Sequence, residues 1–516
     1  MQSTVSNHSL ADVQALLRAG QFETARDRAA ALIRTGGGPG DYLALAQALQ
    51  HLGQRDEALN TLGIGLARWP GDRALALMRG HALMAAGRHD EAASAFERRL
   101  RDAPGDGDAM LAAAVARAQG ADPGRSLPLF DTLLRAAPGR TDILYNKAIA
   151  QKAAGDLAGS EASYRTVVAQ APELHAAWRN LGNLLLDQGR LDEAAAAYHA
   201  GFLKRRARGA NPGDPDLRVT SAAKLRHDLQ QIEHLAERRL LAPADHGLID
   251  AYRTVLAGVE AASSGGRAVL SDQQLARLGG SYQRILHVDP APRITGPVIN
   301  PDLDVAGITR RYFEGPAELA VVDDVLTPEA LSALRRFMND SSIWHKWRFS
   351  NDNGYVGAML ADGFFNPLLV QISEAVRAAF LDIFGPHRLQ QTWAFKHSEH
   401  VEGVPIHADS AAVNVNLYTT PDDANLDPET GGIVVWDTAA PLDWDFAKIN
   451  TDEDALLRHL ESVGATAHRI PHRQNRIVIF DSDLVHRTDD LRFRPGYLNR
   501  RINVTMLYGR RTDTGH

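Results

Sequence analysis

The sequence predicts a multidomain fold in which an all-α helical repeat array precedes a β-rich domain with flanking helices. Prolines recur every 34 residues in the first two fifths of the chain, and short β-branched segments separated by turn residues fill its end. The length of 516 residues also exceeds what one ordinary core accommodates. We therefore predict three parts: a helical-repeat array over 1–208, a helical linker region over 209–300 and a third domain over 301–516.

The composition excludes several classes of partner and of site. Hydrophobic residues make up 44% of the chain and charged residues 23%, as in globular proteins. A net charge of −7 argues against a nucleic-acid partner, and the absence of cysteine excludes disulfides, Cys-ligated zinc, iron–sulfur clusters and thiol catalysis. No signal peptide and no apolar run of membrane-spanning length is visible. We expect a cytoplasmic protein that holds any metal through His, Asp or Glu.

The period of 34 residues defines pairs of amphipathic helices. Prolines end the second helix of successive pairs, at Pro70, Pro104, Pro138 and Pro172. Glycines mark the turn within a pair, at Gly53, Gly87, Gly155 and Gly189. Small residues such as Gly80 and Gly182 let the two helices approach closely, and large residues such as Phe96 and Tyr198 pack against the next unit.

This pattern resembles the tetratricopeptide repeat. The best match is residues 175–208, where the signature positions of that family hold Trp178, Leu181, Gly182, Gly189, Ala194 and Tyr198. Five units cover about 39–208, and a degenerate unit with Gly20 in its turn precedes them. The resemblance implies a solenoid whose groove docks a protein or peptide. The alternatives are a scaffold and a dimerisation surface, so an oligomer is allowed.

Two segments indicate where the middle of the chain begins and ends. Residues 203–216 combine arginines with Gly, Asn and Pro, which predicts a helix end followed by a linker. Residues 290–301 contain four prolines and mark the boundary before the last domain. Between them the helical patterns lack the 34-residue period, and the role of this region stays open.

The last domain is predicted from five strand-like segments: QTWAFKH, AAVNVNLYTT, GGIVVWD, RIVIFD and RINVTMLYG. They favour an antiparallel sandwich or barrel with helices on one face. In two of them an apolar face alternates with a polar face, which holds Asn414, Asn416 and Tyr418 in one strand and Arg501, Asn503 and Thr505 in the other. These polar faces point either to solvent or into a barrel, and the preceding His-Ala-Asp segment favours the barrel.

A metal site is predicted from three residues. His407 and Asp409 are two positions apart, so an extended segment projects them the same way, and His486 follows a strongly apolar strand. Two histidines and one carboxylate leave coordination positions open for a 2-oxo acid and O2, as in the facial triad of non-haem iron(II) oxygenases. Arg501 suits the distal carboxylate of that acid, and Tyr418 is placed to add a hydroxyl.

Residues from about 317 to 510 resemble Fe(II)/2-oxoglutarate-dependent dioxygenases, particularly the prolyl-hydroxylase-like branch, through HAD, GGIVVWD, FDSDLVHR and RRINVTMLYG. The resemblance implies a double-stranded β-helix of the jelly-roll or cupin type. It implies that His407, Asp409 and His486 are the catalytic iron ligands and that Arg501 anchors 2-oxoglutarate. The implied cofactors are Fe(II), 2-oxoglutarate and O2, with ascorbate as an optional addition. The retained Asp409 favours hydroxylation over halogenation.

Further residues are expected around this site. Those predicted to bind the cosubstrate beside Arg501 are Tyr418, Asn414, Asn416 and Thr505. Those predicted to line the substrate pocket are Trp393, Lys396, Asn503 and Trp436. The rival histidines, which we place at the pocket rim or on the surface, are His397, His400, His468 and His472. Residues 438–467 are expected to form an insertion with its own helix that covers the site.

The sequence thus predicts a hydroxylase of a protein or peptide side chain, prolyl or another, whose substrate the repeat array docks. Two alternatives stay open. One is a small-molecule or natural-product hydroxylase that uses the array for assembly. The other is a repeat scaffold with an inactive barrel, against which the intact triad and Arg501 speak.

Overall fold

A computed structural model of the chain describes residues 9–207, 218–262, 266–315, 317–350, 353–398, 400–401, 403–441 and 443–511. The chain divides into two compact units, residues 1–172 and 173–516. This division differs from the predicted boundaries after 208 and 300, because the last helix pair of the array and the middle region are both parts of the second unit. The predicted linker at 208–216 lies outside the described residues.

The first unit consists of paired helices. They are α1 Leu10–Arg18, α2 Phe22–Arg34, α3 Pro39–His51, α4 Arg55–Arg68, α5 Arg73–Ala85, α6 His89–Asp102, α7 Gly107–Ala118, α8 Leu127–Ala136, α9 Thr141–Ala153 and α10 Leu157–Gln170. Gly20 has φ of 72° in the turn between α1 and α2, so the degenerate unit predicted from the sequence forms a helix pair of its own. The predicted close approach is also confirmed, since a Cβ atom added to Gly80 would lie 2.3 Å from the ring of Phe96.

The second unit contains the remaining helices and all the strands of the described residues. Its helices are α11 His175–Asp187, α12 Leu191–Arg206, α13 Ala222–Glu237, α14 Leu248–Ala262, α15 Asp272–Arg277, α16 Val305–Glu314, α17 Pro328–Asp340, α18 Pro367–Ala379, α19 Leu381–Phe384, α20 Phe446–Thr451 and α21 Glu453–Val463. Its strands are β1 Val219–Thr220, β2 Ala268–Val269, β3 Leu319–Val322, β4 Lys346–Ser350, β5 Asn353–Met359, β6 Leu389–His397, β7 His400–Val401, β8 Val413–Tyr418, β9 Ile433–Ala439, β10 Ala467–Ile470, β11 Ile477–Asp481, β12 Leu484–Thr488, β13 Leu491–Arg492 and β14 Ile502–Tyr508. No helix among the described residues is both long and apolar enough to cross a membrane.

Two antiparallel sheets form the centre of the second unit. The larger sheet has the strand order β3-β11-β8-β14-β6-β5-β4, and the smaller has the order β10-β9-β12. Side chains from both sheets meet in one apolar cluster, with Val478 and Phe480 from the larger sheet and Ile433 and Val435 from the smaller. The face of β8 and β14 that carries polar residues therefore lies against the smaller sheet, which confirms a buried rather than a solvent-facing polar face.

The middle region covers the opposite face of the larger sheet. Gln231 of α13 donates through Nε2 to the carbonyl oxygen of Ser341 and to the hydroxyl of Tyr497, each at 2.9 Å. Arg500 also belongs to this side of the sheet, where it is buried and donates to Gln230 at 2.9 Å. Residues that the sequence leaves unassigned thus form the back layer of the β-rich domain.

The last repeat helix, α12, is tied to the same domain by a buried ion pair. Arg206 donates through Nε to Asp362 Oδ1 at 3.0 Å and through Nη1 to Gln283 at 3.0 Å. Both members of the pair are buried. A boundary after residue 208 would therefore separate Asp362 from its cation.

Candidate metal centre

His407, Asp409 and His486 come together beside the smaller sheet. One ligand atom from each of the three residues lies within 4.8 Å of the others. His407 forms a β-bridge with His486 of β12, in which the N–H of each residue donates to the carbonyl of the other at 2.9 and 2.8 Å. The ring centroids lie 4.3 Å apart, and Nε2 of His486 is 3.5 Å from Asp409 Oδ2. The backbone therefore sets the spacing of the two imidazoles.

Backbone carbonyls also select the tautomer of each imidazole. Nδ1 of His407 lies 2.7 Å from the carbonyl oxygen of Pro405, and Nδ1 of His486 lies 2.9 Å from that of Leu484. Because a carbonyl only accepts, Nδ1 carries the proton and Nε2 keeps a lone pair for a cation. Desolvation of the half-buried ring, together with His486, lowers the pKa of His407 to about 4. His407 is therefore neutral at pH 7, as a metal ligand must be.

Asp409 supplies the negative charge of the centre. Burial alone would raise the pKa of its carboxyl, but contacts with His486, His407 and the amide of Asn414 lower that pKa overall. The residue is thus a carboxylate. Two imidazole nitrogens and one carboxylate form a donor set that suits a divalent first-row transition metal.

Arg501, the residue before β14, is a buried cation. It is 2% exposed, and its Nε and Nη2 donate to the carbonyl oxygens of Gly431 and Gly432 at 2.7 and 3.0 Å. Its third hydrogen-bond partner among the described residues is His397, with Nη1 3.5 Å from Nδ1. None of these partners is a carboxylate. Burial lowers the pKa of Arg501, yet a guanidinium keeps its charge in proteins, so the arrangement favours an anionic ligand.

Two polar atoms next to Arg501 have no hydrogen-bond partner within the described part of the chain. They are the hydroxyl of Tyr418 and Nε2 of His397, and both side chains are fully buried. Burial raises the pKa of Tyr418 to about 12, so its hydroxyl stays protonated. Burial, aided by Arg501, lowers the pKa of His397 well below its usual range, so its ring stays neutral. Together with Arg501, these atoms match the needs of a carboxylate.

The position of His397 corrects an interpretation from the sequence, which placed it at the rim or on the surface. Its backbone N–H donates to the carbonyl of Arg501 at 2.9 Å, so the two residues are opposite each other and share a face. Trp393 lies on this face too, because it pairs with Thr505 and has the same strand parity as His397. The shared parity of Trp393 and His397 is the sequence signal that could have placed His397 on the same face as Trp393.

Three predicted cosubstrate residues, Asn414, Asn416 and Thr505, lie between the sheets with the predicted pocket residue Asn503, and the four mainly contact one another. Asn414 donates to Asp409 at 2.7 Å, and Asn416 donates to Asn414 at 3.0 Å. Asn503 donates to Asn416 at 2.7 Å and to the hydroxyl of Thr505 at 3.1 Å. These four polar residues thus form a connected row that begins at Asp409.

Two predicted pocket residues lie elsewhere. Lys396 is on the face of β6 opposite Trp393, with Nζ 3.2 Å from the ring centroid of Tyr497, because residues three apart in a strand point to opposite faces. Trp436 lies on the face of β9 opposite Val435 and joins the apolar cluster formed by α20 and α21. Lys396 therefore lies away from the face that holds Trp393 and His397, and Trp436 lies away from the face of β9 that holds Val435.

Within the described part of the chain, His472 and His468 do not join the three metal-ligating residues. Nε2 of His472 lies 3.0 Å from the carbonyl oxygen of Thr420, and its ring lies 5.4 Å from that of Tyr418. His468 belongs to β10. The side chain of His400 lies outside the described part of the chain.

The insertion at 438–467 contains two helices, α20 and α21, and residue 442 within it lies outside the described residues. Its apolar side chains, among them Leu456 and Leu460, pack against Ile406, Ala408 and Val485. Each of the last three residues is a direct neighbour of a predicted metal ligand in the sequence. The insertion therefore supports the ligand-bearing segments from the side opposite the metal-ligating atoms.

Comparison with known proteins identifies the repeat array. A family model described as the tetratricopeptide repeat matches residues 43–107, 77–141, 111–172 and 145–215. Tetratricopeptide repeats therefore occupy residues 43–215. No curated protein sequence matches the chain.

Several solved structures are similar to parts of the chain. MamA from Desulfovibrio magneticus RS-1 has 20% identity over 32% of this chain and 93% of its own, with a TM-score of 0.29. YrrB, described as a TPR protein with an unusual peptide-binding site, has 17% identity over 32% and 85%, with a TM-score of 0.28. A tetratricopeptide repeat protein from Parabacteroides merdae has 15% identity over 53% and 96%, with a TM-score of 0.35.

Proposed function

We propose that this protein is an Fe(II)- and 2-oxoglutarate-dependent dioxygenase that hydroxylates a protein or peptide side chain, prolyl or another. The observation that supports this most strongly is a juxtaposition. Three metal-ligating side chains converge at one point. Arg501, a buried cation without a carboxylate partner among the described residues, directly precedes β14, the strand that carries Asn503 and Thr505 of the polar row.

The strand order supports a double-stranded β-helix. From β8 onward the chain enters the larger sheet, moves to the smaller sheet for β9 and β10, and returns to the larger one for β11. It then adds β12 to the smaller sheet and β14 to the larger. Such alternation between two facing antiparallel sheets is what a jelly-roll fold requires.

The side chains fit the implied cofactors. His407, Asp409 and His486 would hold iron(II), which when bound supplies the oxygen-activating chemistry. Arg501 would neutralise the distal carboxylate of 2-oxoglutarate, and the hydroxyl of Tyr418 and Nε2 of His397 would each donate a hydrogen bond to it. Apolar residues of both sheets, such as Phe480 and Val435, would exclude water from this space.

The repeat array supports a macromolecular substrate. Tetratricopeptide repeats commonly bind proteins or peptides, and this array lies in the same chain as the proposed catalytic centre. We propose that the array holds the substrate protein or peptide while one side chain of that substrate reaches the metal. Hydroxylation is the proposed reaction because the carboxylate ligand Asp409 is retained.

The test begins with binding in the absence of oxygen. We expect the full-length protein to bind Mn(II) and then 2-oxoglutarate in calorimetric titrations. His407→Ala should lose metal binding, and Arg501→Gln should keep the metal but lose 2-oxoglutarate. Arg500→Gln is the matched control, since Arg500 is a buried neighbour on the opposite face of the sheet. A wild-type protein that binds no metal would overturn the proposal.

The second stage identifies the substrate. The protein is incubated in air with iron(II), 2-oxoglutarate and a host peptide extract, and the peptides are analysed by mass spectrometry. We expect succinate and a peptide that has gained the mass of one oxygen atom, both absent with His407→Ala. Succinate formation without any modified peptide would point to a small-molecule substrate and contradict the peptide part of the proposal.

A further inference from the structure

Three asparagines connect Asp409 to the strand that follows Arg501. Nδ2 of Asn414 donates to Oδ2 of Asp409 at 2.7 Å, and Nδ2 of Asn416 donates to Oδ1 of Asn414 at 3.0 Å. Nδ2 of Asn503, in β14, donates to Oδ1 of Asn416 at 2.7 Å. All three amides are buried. We call these three residues the amide row.

The hydrogen bonds of the amide row all run in one direction. A side-chain amide has a donor end and an acceptor end, so each bond determines how the next amide is turned. Asn414 presents its nitrogen to Asp409 while its oxygen accepts from Asn416. Asn416 is held in turn by Asn503 and by the hydroxyl of Thr505, which lies 3.3 Å from the same oxygen. The orientation of the first amide is thus determined by a different strand.

Asp409 needs such a partner. It lies in the segment between the His407 bridge and β8, outside the regular strands, and the torsion that rotates its carboxylate has a broad minimum. A donor on one carboxylate oxygen uses one lone pair and leaves the others for a cation. Hydrogen-bond partners of metal-ligating carboxylates typically contribute 10- to 100-fold to metal affinity.

We infer that Asn414 is a positioning residue that holds the Asp409 carboxylate in the rotation required for metal binding. Asn416, Asn503 and Thr505 act through Asn414 by fixing its orientation. This inference rests on the proposed function and changes the role of these residues. The sequence assigns Asn414, Asn416 and Thr505 to the cosubstrate and Asn503 to the substrate pocket. It also means that the strand following Arg501, the proposed cosubstrate anchor, holds the metal ligand in place.

The test measures the affinity of the full-length protein for Mn(II) by calorimetry, without cosubstrate or turnover. Asn414→Ala removes the donor, and Asn414→Asp replaces it with an isosteric carboxylate. We expect each to weaken Mn(II) binding about 10- to 100-fold. Thr505→Val, which removes the hydroxyl that donates to Asn416, should weaken Mn(II) binding about threefold. Asn339→Ala is the control, because it removes a buried amide that contacts Lys396 on the opposite face of the larger sheet.

A second readout separates positioning from a general loss of structure. The visible spectrum of bound Co(II) reports coordination geometry, and we expect it to change in the Asn414 variants and not in Asn339→Ala. The inference is overturned if Asn414→Asp melts like the wild type and binds Mn(II) with wild-type affinity. It is also overturned if both Asn414 variants fail to fold, because the amide row would then be required for folding and not specifically for metal binding. If the wild type binds no Mn(II), the proposed function fails first, so the two failures are distinguishable.

Discussion

Tyr418 and Arg501 lie side by side between the two sheets, with the guanidinium carbon 5.0 Å from the centroid of the phenol ring. The hydroxyl of Tyr418 is buried and has no hydrogen-bond partner among the described residues. A buried hydroxyl in this state costs about 1–3 kcal/mol of folding free energy. A ligand that accepts a hydrogen bond from this hydroxyl would remove the cost, and a carboxylate could accept from both Tyr418 and Arg501.

Tyr418→Phe should therefore have opposite effects on stability and on binding. Removing the unpaired hydroxyl should raise the free energy of unfolding by about 1 kcal/mol, while the lost donor should weaken 2-oxoglutarate binding about 10-fold. Thermal unfolding and calorimetric titration measure the two effects. Tyr508→Phe is the control: its hydroxyl donates to the carbonyl of Ser373 at 2.9 Å, so it should lose stability and keep its affinity. A destabilised Tyr418→Phe with wild-type affinity would contradict the prediction.

From strand alternation, the sequence predicts which residues share a face of a strand. His407 and Asp409 are brought near His486, and Arg501, Asn503 and Thr505 share one buried face with Asn416, because a period of two is a local property. Alternation separates the two faces of β6 but does not say which of them points to the site. This is why the sequence predicts both Trp393 and Lys396 in the pocket, although the two side chains lie on opposite faces of β6.

Contacts between distant segments could not be predicted from the sequence. Arg206 and Asp362 are 156 residues apart, and neither stands in a motif that indicates the other. The same holds for Asn414, whose polar face was predictable but whose partner was not. Its amide binds Asp409 because a loop and two strands converge there. Long-range pairing of this kind depends on the assembled fold.

Lys396 should make stability depend on pH. It is buried beside Trp344 and Tyr497, and burial, with Arg500 nearby, lowers its pKa well below 10.5. The unfolded chain then binds more protons than the folded one between the folded pKa and the unfolded value of about 10.4, so stability rises with pH in that window. Lys396→Met should add about 1 kcal/mol at pH 7.

Urea unfolding of the wild type and of Lys396→Met between pH 7 and pH 10 measures this effect. The stability advantage of the variant should shrink as the pH rises toward 10, because the wild-type lysine then loses its proton in both states. An advantage that is constant or grows with pH would show that the buried amine does not titrate in this way.

Arg206 should hold the last repeat helix on the β-rich domain. Burial raises the pKa of Asp362, but the contact with Arg206 outweighs it and brings that pKa to about 2. Arg206→Met would leave a buried carboxylate without its main cation and should cost about 3–5 kcal/mol in urea unfolding. The neighbouring Arg205 is 43% exposed and lies 3.6 Å from the same carboxylate, so Arg205→Met should cost under about 1 kcal/mol. Equal losses in both variants would contradict this assignment.

The ion pair also determines which truncation tests docking. A chain that starts at Glu173 keeps Arg206 and should bind Mn(II) and 2-oxoglutarate like the full-length protein. A chain that starts at residue 209 lacks Arg206 and should be destabilised or unfolded. If the repeats dock the substrate, the 173–516 chain should hydroxylate a peptide substrate more slowly while its succinate formation without substrate stays unchanged. Full peptide turnover by this chain would remove the docking role.

Two glycines in neighbouring repeat helices should respond oppositely to the same substitution. In α5, a Cβ atom on Gly80 would lie 2.3 Å from the buried ring of Phe96, so Gly80→Ala should destabilise the array by about 1–3 kcal/mol. In α4, Gly63 has open space at that position, and Gly63→Ala should stabilise the helix by up to about 1 kcal/mol, because alanine loses less backbone entropy. Thermal unfolding followed by circular dichroism distinguishes the signs. Combining Gly80→Ala with Phe96→Leu should recover part of the loss, and no recovery would mean that the clash lies elsewhere.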